Sequence, residues 1–143
     1  MCDLWKNTLL DKVPVGGIPA QIEYALTSLG CGEQGGETIE QNRLLDNCRP
    51  QQIKLYNSGS FFDRAAIPPQ DYQAIAEQLG FAERVIVESH PRLIGKRALD
   101  FRDLLEGSLE VAMGLETAHP ETLERLNKKF DLNQFAAAAD FRR

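Results

Sequence analysis

The sequence predicts an α/β protein whose parallel strands, near 53–57, 84–88 and 109–115, form a partial (β/α) barrel. Three observations predict it. Short apolar runs alternate with helical periodicity at spacings of about 25–30 residues, the rhythm of βαβ units and so of a parallel sheet. The third strand divides into a bulky face (Leu109, Val111, Met113, Leu115) and a small or charged one (Glu110, Ala112, Gly114, Glu116). Central strands of an open doubly wound sheet are apolar on both faces, so this division suits a strand whose small face lines a barrel interior. Finally, 143 residues are too few for a complete barrel of about 250.

Each element has its own local reason. Ile18, Ile22, Ala25, Leu26 and Leu29 fall on one face of a helix that ends at Gly30, and Pro19 suits its first turn. Residues 38–47 are a further helical candidate. Ile53-Lys54-Leu55-Tyr56-Asn57 reads as the first strand, closed by Asn57-Ser58-Gly59-Ser60. Pro68-Pro69 open a second helix carrying Tyr72, Ile75, Ala76 and Leu79, with Gly80 as its C-cap. Arg84-Val85-Ile86-Val87-Glu88 is the second strand, ending at Ser89-His90-Pro91. A third helix around Ala98 to Leu105 precedes the third strand. The last helix runs from Pro120 to Lys129, with Leu123, Leu126 and Phe130 on one stripe and the pairs Glu121–Arg125 and Glu124–Lys128 opposite.

Composition removes several function classes. The chain is 43% hydrophobic and 26% charged, ordinary for a soluble globular domain. No run approaches the roughly 20 apolar residues that span a bilayer, and no secretory signal opens the sequence, so a cytoplasmic protein without membrane partners is expected. With 16 Lys+Arg against 21 Asp+Glu, it lacks the basic balance of a self-sufficient nucleic-acid binder. Cys2, Cys31 and Cys48 are odd in number and irregular in spacing, neither a disulfide framework nor a CxxC metal site.

Polar residues collect in three places, each at the C-terminal end of a predicted strand: Asn57-Ser58-Gly59-Ser60, Glu88-Ser89-His90, and Gly114-Leu115-Glu116-Thr117. Ligands of parallel α/β folds bind at that edge, where loops converge. Ser58, Gly59 and Ser60 can bring backbone N–H groups to a ligand, and Glu88 and Glu116 can accept from ligand hydroxyls. The plainer alternative is that each cluster is a turn with a helix cap. His90 and His119 each stand beside a proline and read as surface turn residues. Ser58 and Ser89 lack the glycines of a nucleophile elbow, so no catalytic residue is nominated. Gly35-Gly36 precedes no phosphate loop, and Lys128-Lys129 is too short for a nucleic-acid patch.

Five blocks, in order along nearly the whole chain, resemble radical S-adenosylmethionine (SAM) enzymes. They are Met1-Cys2-Asp3-Leu4-Trp5-Lys6-Asn7-Thr8, Ile18-Pro19-Ala20-Gln21-Ile22, Lys54 to Asp63, Val87-Glu88-Ser89-His90-Pro91, and Leu109 to Thr117. The group resembled contains the archaeosine-biosynthesis radical SAM enzymes and is related to the core of the elongator catalytic subunit. The resemblance implies a [4Fe-4S] cluster held by a CxxxCxxC loop, with Cys2 as its last cysteine and metal ligand; soft thiolates are the usual ligands of such clusters. It implies SAM bound by Asn57, Ser58, Gly59 and Ser60 around its amino group, by Glu88 at the ribose, and by Gly114, Glu116 and Thr117 beside the ribose and adenine. Reductive cleavage of SAM to a 5′-deoxyadenosyl radical is the implied reaction. A tRNA nucleoside is the implied substrate class, reached with a partner protein, and ferredoxin or flavodoxin the implied class of reductant.

The pattern departs from the family at three points. Two cluster cysteines and the first strand are expected before Met1, the last strands are expected after the fourth βα unit, and His90 stands where relatives often have arginine. Residues 1–143 are therefore expected to be a partial radical SAM core domain, inactive alone and poorly soluble because the strand at 53–57 has an unpaired edge. Two alternatives remain: a non-catalytic α/β remnant that binds SAM or acts as an interaction module, and a cluster-free enzyme using its strand-end carboxylates as acid and base.

Overall fold

A computed structural model describes residues 12–29, 51–57 and 59–140. Helix α1 (Gly17–Ser28) opens them, entered through Gly16 in the left-handed conformation at φ 85°. That φ suits glycine, and Asp71 holds it in place: the buried carboxylate accepts the Gly16 N–H at 2.8 Å. Strands β1 (Gln52–Leu55), β2 (Arg84–Glu88) and β3 (Ser108–Ala112) pair in parallel in that order. Leu55 lies opposite Val87 in one ladder and Glu88 opposite Ala112 in the other, which brings the C-terminal ends of the three strands level.

Two short helices make the crossovers. Helix α2 (Tyr72–Gln78) follows a 3-10 turn at Pro69–Asp71, and α3 (Lys96–Arg102) follows one at Pro91–Leu93. At seven residues each, they are shorter than the roughly 12–15 at which isolated helices become even marginal, so packing sustains them. Ile75, Ala76 and Leu79 are buried almost completely, as are Ala98 and Phe101. Beyond β3 come α4 (Pro120–Arg125) and α5 (Leu132–Asp140), and α5 packs on the turn at Pro91–Leu93.

One apolar cluster joins Ile22 of α1, Ile75 and Ala76 of α2, and Ala98 and Phe101 of α3 to Val85, Val87 and Val111 of the sheet, with Ile53, Leu55, Leu109 and Met113 packed against it. The bulky face of β3 therefore meets helices, as its pattern predicts. On the opposite face Gln52, Lys54, Arg84, Glu88, Ser108 and Glu110 are exposed, and the buried Ile86 stands outside the cluster. Parallel sheets are generally covered on both faces. Among the described residues this one carries helices on one face only.

Four details correct the sequence expectations. β3 ends at Ala112 rather than near 115, because the chain passes Gly114 and turns sharply at Glu116 (φ 67°). β1 ends at Leu55, two residues before Asn57. Helix α4 stops at Arg125 rather than Lys129, since Asn127 takes a left-handed conformation (φ 55°) and closes it with an N–H bond to the Glu124 carbonyl. Helix α5 was not expected at all. The sheet is parallel and three-stranded but not closed among the described residues, and the helical candidate at 38–47 lies outside them.

The loop after β1 is tied to the core by two rings that follow it directly. Phe61 and Phe62 have no solvent exposure, and the Phe61 ring centroid lies 4.8 Å from Phe101 and 5.8 Å from Tyr72. The Phe61 N–H also donates to the Glu88 carbonyl at 2.8 Å, closing the loop across the end of β2.

Candidate functional site

The level strand ends bring the three predicted clusters to one rim. Just past the end of β1, Asn57 is half-buried, and both polar atoms of its side-chain amide are buried without a hydrogen-bond partner among the described residues. An unsatisfied buried group of this kind costs about 1–3 kcal/mol, and native structures keep few of them without a reason. Asn57 lines a cleft of about 210 Å³ between α1 and β1, together with Ile18, Gln21, Lys54 and Tyr56. That volume is below the roughly 300–1,000 Å³ of a whole small-molecule pocket, so the cleft can take a part of a ligand rather than all of one. Gly59 stands beside the amide, where a Cβ would come only to ordinary contact with Asn57 Nδ2 at 3.8 Å. Ser58 and the predicted metal ligand Cys2 lie outside the described residues.

A chain of polar contacts runs from this loop around the rim. Ser60 Oγ accepts the His90 N–H at 2.9 Å. The His90 ring then spans to the far side: Nδ1 accepts the Arg92 N–H at 3.2 Å, which leaves Nε2 as the donor to the Lys128 carbonyl at 2.7 Å. Lys128 Nζ in turn meets Glu116 Oε1 at 2.7 Å, directly over Gly114, where an added Cβ would press on that oxygen at 3.0 Å. Loops after all three strands are thus linked through His90 and Lys128. Neither residue was nominated from sequence. A turn-side histidine and a Lys-Lys pair carry no spacing signal, and only the fold sets them between the nominated clusters.

The backbone around the Glu116–Lys128 pair is strained on both sides. Glu116 sits at the tip of a three-residue turn, with the Thr117 N–H bonded to the Leu115 carbonyl at 2.8 Å and φ at 67°. That is the rarer, strained hand of the γ-turn. Lys129 holds φ 63° beside it. Such conformations cost on the order of 1–3 kcal/mol each, whereas an exposed ion pair contributes about 0–1 kcal/mol. The ion pair does not repay the strain. What holds the segment is the His90–Lys128 bond, the Arg92 Nη1 contact to the Lys129 carbonyl at 3.4 Å, and the burial of Phe130, whose ring meets His90 edge-on at 5.1 Å.

The remaining nominated residues divide. Glu88 is exposed on the helix-free face of the sheet, and its carboxylate has no partner among the described residues, while Glu110 on that face lies 3.8 Å from Arg84. Glu116 is not an idle acceptor, being paired to Lys128. Thr117 Oγ1 accepts the His119 N–H at 3.1 Å, a local turn bond that leaves its hydroxyl proton available. Ser60 is likewise engaged as an acceptor. A larger cavity of about 620 Å³ lies between α4 and α5, lined by Leu123, Asn127, Lys129, Phe130 and Asn133 among others, and no nominated residue borders it. Among the described residues no three His, Cys, Asp or Glu side chains gather as a metal-holding group, and no helix is long and apolar enough to cross a membrane.

Comparison with known proteins gives distant likenesses. No family model matches the chain, and no solved structure does. An uncharacterised protein of Methanocaldococcus jannaschii is 25% identical over 145 aligned residues, covering 98% of this chain and 36% of that protein. Archaeosine synthase subunit beta of Thermococcus kodakarensis is 29% identical over 99 residues, covering 64% of this chain and 30% of that protein. The chain spans about a third of the length of these curated relatives.

Proposed function

We propose that this chain is the SAM-cradling part of a radical SAM enzyme that modifies a nucleoside, with the rim formed by Asn57, Glu88 and Gly114 as its ligand edge. The observation that carries the reading is the Asn57 amide, buried and, among the described residues, unpaired where the loops after the strands converge. An α-amino acid head supplies the donors and acceptors that this amide lacks. Glu88 offers a carboxylate to a pair of ribose hydroxyls, and Gly114 lies two residues past Ala112, the ladder partner of Glu88, with the Glu116 carboxylate over it. The sheet, one-sided among the described residues, supports a partial barrel with its small face turned inward, since a parallel sheet with an uncovered face is unusual. Likeness to a subunit of archaeosine synthase, a protein named for a modified nucleoside, supports the substrate class.

In this reading Cys2 is the thiolate the chain contributes to a [4Fe-4S] cluster, as thiolates commonly do. The chemistry such a cluster supplies is one-electron cleavage of the sulfonium. The chain's own part is to hold the amino-acid head at Asn57 and the ribose at Glu88. A cytoplasmic location, a tRNA substrate presented with a partner protein, and a ferredoxin or flavodoxin as reductant complete the proposal.

Binding of SAM to the whole chain, followed by titration calorimetry, tests this without any cluster. The expected result is saturable binding that weakens about ten-fold in Asn57→Ala, the loss of one or two hydrogen bonds to a charged group. No heat of binding, or unchanged affinity in Asn57→Ala, overturns the reading.

A further inference from the structure

We propose that His90 is a pH-sensitive latch: its neutral ring holds the segment from Asn127 to Phe130, with α5, against the turn after β2, and its protonation releases them. The inference goes beyond the SAM reading and stands or falls apart from it. Its first ground is the pair of bonds the ring makes. The Arg92 backbone N–H can only donate, so Nδ1, 3.2 Å away, is its acceptor. The Lys128 carbonyl can only accept, so Nε2, at 2.7 Å, carries the proton. Only the neutral ring protonated at Nε2 satisfies both partners. Histidine is also the side chain that changes charge near neutral pH. A proton added at Nδ1 would point at the Arg92 N–H, and two donors cannot share that space. The bond to Lys128 could persist only with the ring left in that clash, so the imidazolium turns out of the site and gives up both bonds.

The second ground is what the ring holds in place. Lys129 keeps a left-handed φ of 63°, a conformation that persists only where its surroundings enforce it. Those surroundings are Arg92 Nη1, 3.4 Å from the Lys129 carbonyl, and the buried Phe130, edge-on to the His90 ring at 5.1 Å. Phe130 in turn stacks on Phe135 of α5 at 6.1 Å, and α5 packs on the turn at Pro91–Leu93 that His90 caps. Losing the ring therefore frees the segment and the helix together. The charges around the ring do not rescue the imidazolium. Arg92 comes from its own turn, and Lys128 and Lys129 from the segment; all three are cations. Glu116, from the loop after β3, is already held by Lys128 at 2.7 Å. Glu88, two residues back on β2, is exposed on the helix-free face of the sheet. The loop after β1 brings the Ser60 hydroxyl, which accepts the His90 backbone N–H at 2.9 Å. Asp131 caps α5 through the Gln134 N–H at 2.8 Å, and Asp140 stands at the far end of that helix. Among the described residues no carboxylate is bonded to the ring.

Hydrogen exchange on the full chain at about pH 8 and about pH 5.5, with rates corrected for the intrinsic effect of pH, tests the latch. The closed segment binds one proton fewer than the open one, so opening grows as pH falls. Amides of residues 127–140 are expected to lose about ten-fold in protection at the lower pH, while those of β2 keep theirs. Nitrogen NMR of the His90 ring is expected to show Nδ1 gaining its proton over the same interval. His90→Gln, which offers an acceptor and a donor but does not titrate, is expected to remove the pH dependence. His119→Gln, at the exposed second histidine, is expected to retain it. Equal protection at the two pH values, a loss shared evenly with β2, or an unchanged pH dependence in His90→Gln overturns the proposal. So does an Nδ1 proton that arrives with no loss of protection. Should His90→Gln fail to fold, the coincidence of the two wild-type titrations decides.

Discussion

His90 acts at the scale of a single residue, and its effect depends on which ring nitrogen holds the proton. With Nδ1 accepting from the Arg92 N–H and Nε2 donating to the Lys128 carbonyl, the ring fixes both the turn after β2 and the segment after α4. His90→Ala leaves that carbonyl and the Arg92 N–H without their partners, and a loss of about 1–3 kcal/mol in urea unfolding is expected. Tyr72 poses the opposite problem. Its hydroxyl is buried without a partner among the described residues, and burial, opposed by Arg97 and Arg64 and aided by Asp100, raises its pKa above the ordinary 10.0. The folded state therefore favours the neutral phenol more than the unfolded state does. Stability is full below pH about 10 and falls as pH rises from there through the folded pKa. Tyr72→Phe is expected to abolish that alkaline loss and, at neutral pH, to be neutral or stabilising by up to about 1 kcal/mol, measured by urea titration at pH 7 and 11.

At the scale of elements, short helices and a short sheet depend on close backbone approach. Gly107 leads into β3, and an added Cβ would collide with the Ala82 and Glu83 carbonyls, which belong to the turn before β2. The Ser108 N–H donates to the Glu83 carbonyl at 2.9 Å at this same crossing. Backbone cannot retreat there without breaking the ladder. Gly107→Ala is expected to lower the thermal midpoint more than an alanine at Gly95, where nothing lies within 4 Å of the added carbon. The difference should reach about 2 kcal/mol or more, within the range of overpacking in close-packed sites. Equal midpoints for the two variants would show that the β2–β3 crossing is looser than its geometry.

At the scale of the whole molecule, the decisive feature among the described residues is asymmetry: one sheet face clad in helices, the other carrying Lys54, Arg84, Glu88 and Glu110. A ligand bound only by the folded rim must stabilise the entire fold by mass action. At one hundred times its dissociation constant the gain is about 2.7 kcal/mol, which for a domain of this size raises the melting temperature by several degrees. SAM is expected to produce that shift in wild type and a smaller one in Asn57→Ala at the same concentration. The same shift in both variants would place the ligand elsewhere.

Sequence alone determined the alternation of strands and helices, the bulky and small faces of β3, and the position of polar clusters at three strand ends. Periodicity is a local property, and residues such as Val85, Val87 and Val111 declare their burial by spacing alone. Strand and helix lengths were less legible, since β3 and α4 end where Glu116 and Asn127 take left-handed conformations that their residue types do not announce. Tertiary structure alone decided which polar groups are already used. Ser60 caps the turn at His90, Glu116 is held by Lys128, and Asn57 keeps an amide with no partner among the described residues. Hydrogen bonds between residues 30 or more positions apart, such as Ser60 with His90 and His90 with Lys128, depend on how the strands align. No pattern along the chain encodes that alignment until the core has closed around Phe61 and Phe101.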